Sequence, residues 1–460
     1  YGQRFDNLGS ALGSEFIVNS TTSGDQLNPS VTAMSDGGFL IGWNGTGYST
    51  VSGQKYDLSG NTVGSEITID TSGANLAIVG LPSGRFMAAY NYSDGNDSVY
   101  GRVFDVNGSA EANRFKINTE ENGSGNQGFY RSAITGLSNG DVVVAWSDPG
   151  PGNNHIDGQR LDATGNKIGE QFKINSNDSG DKTWPVLDQL ANGEFVVVWR
   201  DHSGQDGSGK GVFAQRFTPP TETALASNVS VVVNGKTLTV DLSSHHNGSV
   251  NDRYGAAAAI ASAINNDSDL QTAGYHATVA TVDQVNAGTH AAGDVIITRA
   301  HIPDETVTTD TTSATTTSGA ALIMSPTKAG AEFQVNTYTN SSQNEPVLTK
   351  LSNGGFVASW NSYGQDGSNY AVQAQMYDRW GNTVGSEFQV NTHTASDQSA
   401  PSITSLNDGG FVVVYHSNGS SADGNSYGMY GQRYDASGST VGSEFLLNTF
   451  KLGYQLYPSV

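Results

Sequence analysis

Short apolar runs recur along the chain between breaks rich in Gly, Asn, Asp and Ser, and the stretch Gln398 to Asn448 shows the pattern most fully. It holds Pro401-Ser-Ile-Thr-Ser-Leu406, Phe411-Val-Val-Val-Tyr415, Tyr430-Gly-Gln-Arg-Tyr434 and Glu444-Phe-Leu-Leu-Asn448. Runs of this length, β-branched and aromatic and bounded by turn formers, predict strands joined by hairpins. The second run is continuously apolar, as in Phe195-Val-Val-Val-Trp199. That pattern predicts a strand packed on both faces. The third run, as in Gly158-Gln-Arg-Leu161, alternates and is expected nearer the outside. One repeat therefore predicts one four-stranded antiparallel sheet.

The fourth run tracks the repeat through the chain. Its central apolar residue stands at 16, 67, 115, 172, 333, 388 and 445, at intervals of 48 to 57 residues except for one of 161. A period of this size with four strands per unit is the signature of a β-propeller blade. The fold expected is all-β, a β-propeller of four-stranded blades. Six units are complete, and the chain opens on a third and fourth strand (Tyr1 to Asn19) and stops after a first strand (Leu456 to Val460). Joining these ends predicts a seventh blade lacking its second strand, and the chain reads as an excerpt of a longer polypeptide. The gap would be filled by unseen sequence or by a strand from a neighbouring chain.

The long interval holds an insertion, so the expected organisation is propeller over 1–218, inserted domain over 219–329 and propeller over 330–460. The insertion contains an Asn-Gly hairpin (Val229 to Val240), an Ala-rich helical stretch (Tyr254 to Asn265) and two further strands (Tyr275 to Ala280 and Asp294 to Thr298). This predicts a small α+β domain.

Composition and charge narrow the setting. Gly makes up 57 of 460 residues, as a turn-rich all-β chain requires, and the formal net charge is −22. Like charge repels nucleic acid and anionic membrane surfaces. Without cysteine there is no disulfide, thiolate nucleophile or Cys-based zinc site. The sequence has no apolar run long enough to span a bilayer as a helix.

Three kinds of candidate chemistry stand out. Loops carrying Asp94, Asp97, Asp178, Asp181, Asp201 and Asp206 offer hard oxygen ligands on Gly-containing turns, which suits calcium, although solvated turns have the same composition. His155, His202 and His416 lie at or after second strands on the face with the longer loops, where a lyase would place a base beside a cation that neutralises a uronate. They fall at one repeat position, occupied elsewhere by Ser147 or Asn361, and so read as variation of a surface loop. Trp43, Trp146, Trp199 and Trp360 close second strands at one position, which favours core packing over sugar stacking. The Glu that opens most fourth strands reads as edge protection.

The Gly-Gly-Phe-Val-Val-Trp, Gln-Arg-Tyr-Asp and Gly-Ser-Glu-Phe-x-Val-Asn segments resemble the repeats of very large secreted bacterial proteins that often carry calcium-binding RTX nonapeptides. The insertion, through Val-Asn-Gly-Lys-Thr-Leu and Ala-Ile-Ala-Ser-Ala-Ile-Asn, is similar to the inserted motif of flagellins and hook-associated proteins. The first resemblance implies secretion, a cell-surface or matrix setting and calcium. The expected function is a non-catalytic binding or structural module for adhesion or assembly, with carbohydrate or protein partners and self-association through the insertion and the incomplete blade. Two alternatives stand beside it: a carbohydrate-active enzyme, lyase or glycoside hydrolase, using the loop face, and a subunit of an extracellular filament or sheath.

Overall fold

The computed structural model describes residues 1–6, 8–48, 50–92, 98–119, 132–149, 152–219, 228–233, 236–241, 261–272, 275–279, 295–299, 315–316, 326–418, 427–449 and 455–460. The chain forms two compact units, one of Tyr1–Gly165, Gln171–Pro219 and Pro326–Val460, the other of Asn166–Glu170 and Pro220–Ser325.

The first unit is an all-β propeller. Blade 1 comprises Leu27–Ala33, Phe39–Asn44, Val51–Tyr56 and Thr62–Asp70; blade 2 comprises Ala74–Gly80, Phe86–Tyr92, Ser98–Phe104 and Phe115–Lys116. Blade 3 comprises Ala133–Gly136, Val142–Pro149, Asn154–Leu161 and Lys167–Lys173. In blade 4, Lys182–Gln189, Phe195–Asp201 and Gly211–Thr218 are followed across the insertion by a split fourth strand, Thr327–Lys328 and Phe333–Gln334. Blade 5 comprises Gln343–Lys350, Phe356–Tyr363, Tyr370–Tyr377 and Thr383–Gln389; blade 6 comprises Gln398–Ser405, Phe411–Asn418, Tyr427–Tyr434 and Thr440–Leu446.

The count corrects the expectation of seven blades. Among the described residues there are six four-stranded blades, and the opening strands, Gly2–Phe5 and Ala11–Phe16, form a sheet of two. Residues 455–460 approach blade 6, where Val460 N–H donates to Ser402 Oγ at 3.1 Å, but they join no ladder. A first and a third strand sit two strand spacings apart, about 9.5 Å, so without a second strand they have nothing to pair with.

Each blade buries its apolar strand against the next. Five clusters of buried side chains fill the spaces between successive blades, as where Val357, Val372 and Val390 meet Ile403, Phe411 and Tyr415. Within blades, the Phe opening the second strand stacks on the aromatic closing the third, at 4.9 Å for Phe39 and Tyr56 and 5.1 Å for Phe195 and Phe217. Burying such a side chain contributes about 1.5–3 kcal/mol.

Polar repeats set register and join blades. Gln54, Gln375 and Gln432 in third strands each donate to a bulged Gly of the fourth, Gly64, Gly385 and Gly442, whose positive φ of 71–72° places the carbonyl there. The recurrent Glu is no edge device: it accepts hydrogen bonds from the Ser or Thr that ends the preceding blade. Glu66 takes Ser20 N–H (2.9 Å), Glu387 takes Thr337 N–H (2.6 Å) and Glu444 takes Thr392 N–H (2.9 Å). Gln171 takes Thr119 N–H at 2.9 Å and Glu332 takes Ser176 N–H at 2.5 Å. Between blades 1 and 2 the charges are exchanged, with Arg114 on Asp70 at 3.1 Å. Glu15 accepts from Thr449 N–H at 2.9 Å, 434 positions away, and this contact closes the ring.

In the second unit the described elements are a three-stranded sheet of Asn228–Val233, Lys236–Asp241 and Thr315–Thr316, and a two-stranded sheet of Tyr275–Val279 and Val295–Arg299. The hairpin and the two later strands are those expected. Described helix is confined to residues 261–266 and Ser268–Thr272, too little to carry the α+β designation; residues 254–260 of the expected helix lie outside the described residues.

Candidate functional site on the loop face

First strands enter, and second strands leave, at the face with the longer loops. There the first strands of blades 1, 2, 4, 5 and 6 carry a bulge whose central residue has positive φ without being Gly: Asn28 (50°), Asn75 (53°), Trp184 (59°), Glu345 (51°) and Ala400 (51°), with Tyr457 (56°) in the terminal segment. Ladder register skips at the same places, as between Thr183 and Val186 or Asn344 and Val347. A non-Gly residue held in this region costs free energy and persists only where its surroundings fix it. The bulges thus form one repeated feature, and its side chains differ from blade to blade.

Blades 4 to 6 put charged and aromatic groups on this frame. The Arg200 guanidinium lies 5.1 Å over the Trp184 ring, donates from Nε to Thr183 Oγ1 (3.0 Å) and reaches Asn344 Oδ1 in blade 5 (3.4 Å). Thr183 Oγ1 also meets His202 Nε2 at 3.2 Å, and Asn344 Nδ2 donates to the Tyr370 hydroxyl at 3.4 Å. A polar line therefore runs from His202 through Thr183, Arg200 and Asn344 to Tyr370. Burial, followed by the nearby Arg200 and Lys210, pushes His202 down to about 4. Burial, then the charges of Glu345 and Asp397, raise the Tyr370 phenol. At neutral pH this gives an uncharged imidazole and a protonated phenol at opposite ends of one line.

Glu345, beside Asn344, accepts from Asn361 Nδ2 (2.6 Å) and from Ala400 N–H of blade 6 (3.1 Å). His416 is buried, pairs with Ser399 Oγ at 3.1 Å, and meets the edges of Tyr427 and Tyr457 at 5.5 and 5.8 Å. Burial pushes its imidazole down to about 4 as well.

The three histidines do not share one repeat position. Ladder register aligns His416 with Ser147, Arg200 and Asn361, puts His202 two residues farther on, and places His155 on a third strand. Trp43, Trp146, Trp199 and Trp360 are buried, as core packing requires. The indole on this face is Trp184, which sequence reasoning passed over together with Arg200, Glu345 and Tyr370. A signal existed: at the bulge, Asn28 and Asn75 give way to Trp184 and Glu345, each before a Pro.

The carboxylates expected to bind calcium are held by the protein's own donors. Asp178 pairs with Lys173, which lowers its pKa, and buried Asp201 lies 3.3 Å from Lys182 Nζ and accepts Ser203 N–H. Asp181 accepts Asn154 N–H at 2.9 Å, and Asp206 accepts from Ser208 and Asn336. None of these four joins a group of three His, Asp or Glu side chains among the described residues. Asp94 and Asp97 lie outside the described residues.

No family model and no curated protein matches the chain. Among solved structures it is similar to a protein of unknown function from Dyadobacter fermentans DSM 18053, with 10% identity, 87% of this chain and 93% of that one covered, and a TM-score of 0.45. It is also similar to a polysaccharide lyase described as an ulvan lyase, with 10% identity, 91% and 84% covered, and a TM-score of 0.44. A third is the α-L-arabinofuranosidase of Fusarium graminearum with arabinobiose, with 10% identity, 84% and 83% covered, and a TM-score of 0.38. At these scores the fold rests on the strand pairing itself.

Proposed function

We propose that the loop face of blades 4 to 6 binds carbohydrate and that the protein is a polysaccharide lyase acting on uronate-containing chains. The polar line from His202 to Tyr370 through Arg200 carries this reading, because it supplies the base, the cation and the acid that β-elimination needs. The net charge of −22 repels a polyanion, so the cation must be local, and Arg200 with Lys210 provides it.

In the reaction, Arg200 takes the substrate carboxylate and stabilises the negative charge that develops as the adjacent proton leaves. His202, held neutral, accepts that proton. The electron pair forms a carbon–carbon double bond and expels the glycosidic oxygen on the next carbon. The Tyr370 hydroxyl protonates that oxygen. Trp184 and Tyr363 present rings on which sugar faces stack.

The test is to incubate the protein with a panel of uronate polysaccharides and follow the ultraviolet absorbance of the unsaturated product. Cleavage lost in Arg200→Ala is the expected result. Saturable binding of the panel without any product would refute the lyase and leave a non-catalytic carbohydrate-binding module. The resemblance to secreted repeat proteins favours that second reading.

A further inference from the structure

Blade 3 departs from the repeat at several contacting positions at once. Asp148 near the end of its second strand faces His155 across the ladder, and Asp157 lies two residues along the third strand, so all three project from one face of the sheet. Opposite the residue that equals Trp146, where Asp157 stands, the other blades carry Ser52, Tyr100, Phe213, Gln373 and Tyr430. At the position of His155, blades 2, 4, 5 and 6 have Ser98, Gly211, Ala371 and Gly428. Where five other fourth strands present Glu, this blade has Gln171.

The substitutions make one cluster. A ligand atom from each of Asp148, His155 and Asp157 lies within 4.8 Å of the others, and both carboxylate residues are more than nine-tenths buried. Gln171 Oε1 keeps the junction with Thr119, while its Nε2 donates to Asp157 Oδ2 (2.5 Å) and Asp148 Oδ2 (3.4 Å). A Glu there would add a third negative charge. Trp146 Nε1 donates to Asp148 Oδ2 at 3.2 Å. Ligands oriented by amide and indole donors of this kind are the supporting shell of a metal centre.

We propose that Asp148, His155 and Asp157 bind a divalent transition-metal ion of the zinc class. A tetrahedral ion with bonds of about 2.1 Å separates its ligand atoms by about 3.4 Å. His155 Nε2 and Asp157 Oδ2 already stand 3.3 Å apart. One imidazole with two carboxylates is a zinc-type donor set that leaves a coordination position open, whereas calcium calls for six to eight oxygens. The ion brings positive charge to two buried carboxylates, one of which, Asp157, the His155 imidazole also contacts. Access is past His155, whose side chain keeps 22% of its exposure.

The test is calorimetric titration of the metal-stripped full chain with zinc chloride and, separately, calcium chloride. One zinc per chain is expected, with His155→Ala and Asp157→Asn each weakening it at least about tenfold, His202→Ala leaving it unchanged and calcium binding more weakly. Absence of stoichiometric zinc binding, or zinc affinity indifferent to both blade 3 substitutions, overturns the proposal. Because Asp157 is buried, circular dichroism melting accompanies the series, and the part-exposed His155→Ala decides the matter if Asp157→Asn fails to fold.

Discussion

Blades 1 and 4 present the same backbone to the loop face and opposite chemistry. Both carry a positive-φ bulge in the first strand, an indole closing the second strand in the core, and a blade junction made by an acidic residue on a Ser. Yet blade 1 places Asn28 and Asn44 where blade 4 places Trp184 and Arg200. The comparison separates what the repeat needs in order to fold from what a single blade has been given to do. A propeller supports function by varying side chains on a fixed frame.

The largest expected effect comes from making blade 4 resemble blade 1. If the proposed elimination holds, Arg200→Asn removes the charge assigned to the developing anion and should lower the rate about 10²–10³-fold, measured as initial rates on the best substrate of the panel. Asn44→Ala should leave the rate unchanged; an equal loss would dissolve the distinction between the blades. Next, Trp43→Ala and Trp199→Ala remove equivalent buried rings and should each cost about 3–5 kcal/mol in denaturant unfolding. A difference well beyond that spread would show that the frame is not shared. Smaller still, Glu66→Ala and Glu332→Ala break equivalent junctions, each worth about 1 kcal/mol. Matched losses sharpen the comparison.

The pH dependence distinguishes the blades last. His202 and His416 have folded pKa values of about 4 against an ordinary 6.5, so the folded protein binds fewer protons than the unfolded chain. Stability is therefore lost as pH falls through that window and is regained above it. His202→Gln should flatten this part of the melting-temperature profile, and the proposed lyase activity should fall only near pH 4. No histidine stands at the loop-face positions of blades 1 and 2, so substitutions there should leave the profile as it is. An acid limb near pH 6.5 would show that His202 is not the base.

The frame was legible in the sequence because each blade repeats the same solution. Phe-Val-Val-Val-Trp declares a strand buried on both sides, and the Gln and Asn of the third and fourth strands recur because each satisfies a fixed backbone group. The seventh blade was misjudged because ladder pairing needs a second strand that neither end segment supplies. The recurrent Glu was misassigned because its partner belongs to the preceding blade, about fifty residues away in sequence. The site was harder to see for the opposite reason. Trp184, Arg200, Asn344 and Tyr370 are far apart in sequence and no motif joins them; only the bulges and the side-by-side packing of blades 4 and 5 bring them into one line. The histidines stand out by residue type, but sequence without ladder register does not separate their positions.

The contact between Glu15 and Thr449 also bears on the order in which the chain folds. Other junctions tie residues 44 to 156 positions apart, whereas this one spans 434. Closing it from an open chain costs about 2 kcal/mol more entropy than closing a fifty-residue loop. Blades that assemble one on the next shorten that search by bringing Glu15 and Thr449 together before they bond. The seam is then expected to be the last joint to form on the way in and the first to part on the way out, with unfolding starting from the two-stranded sheet.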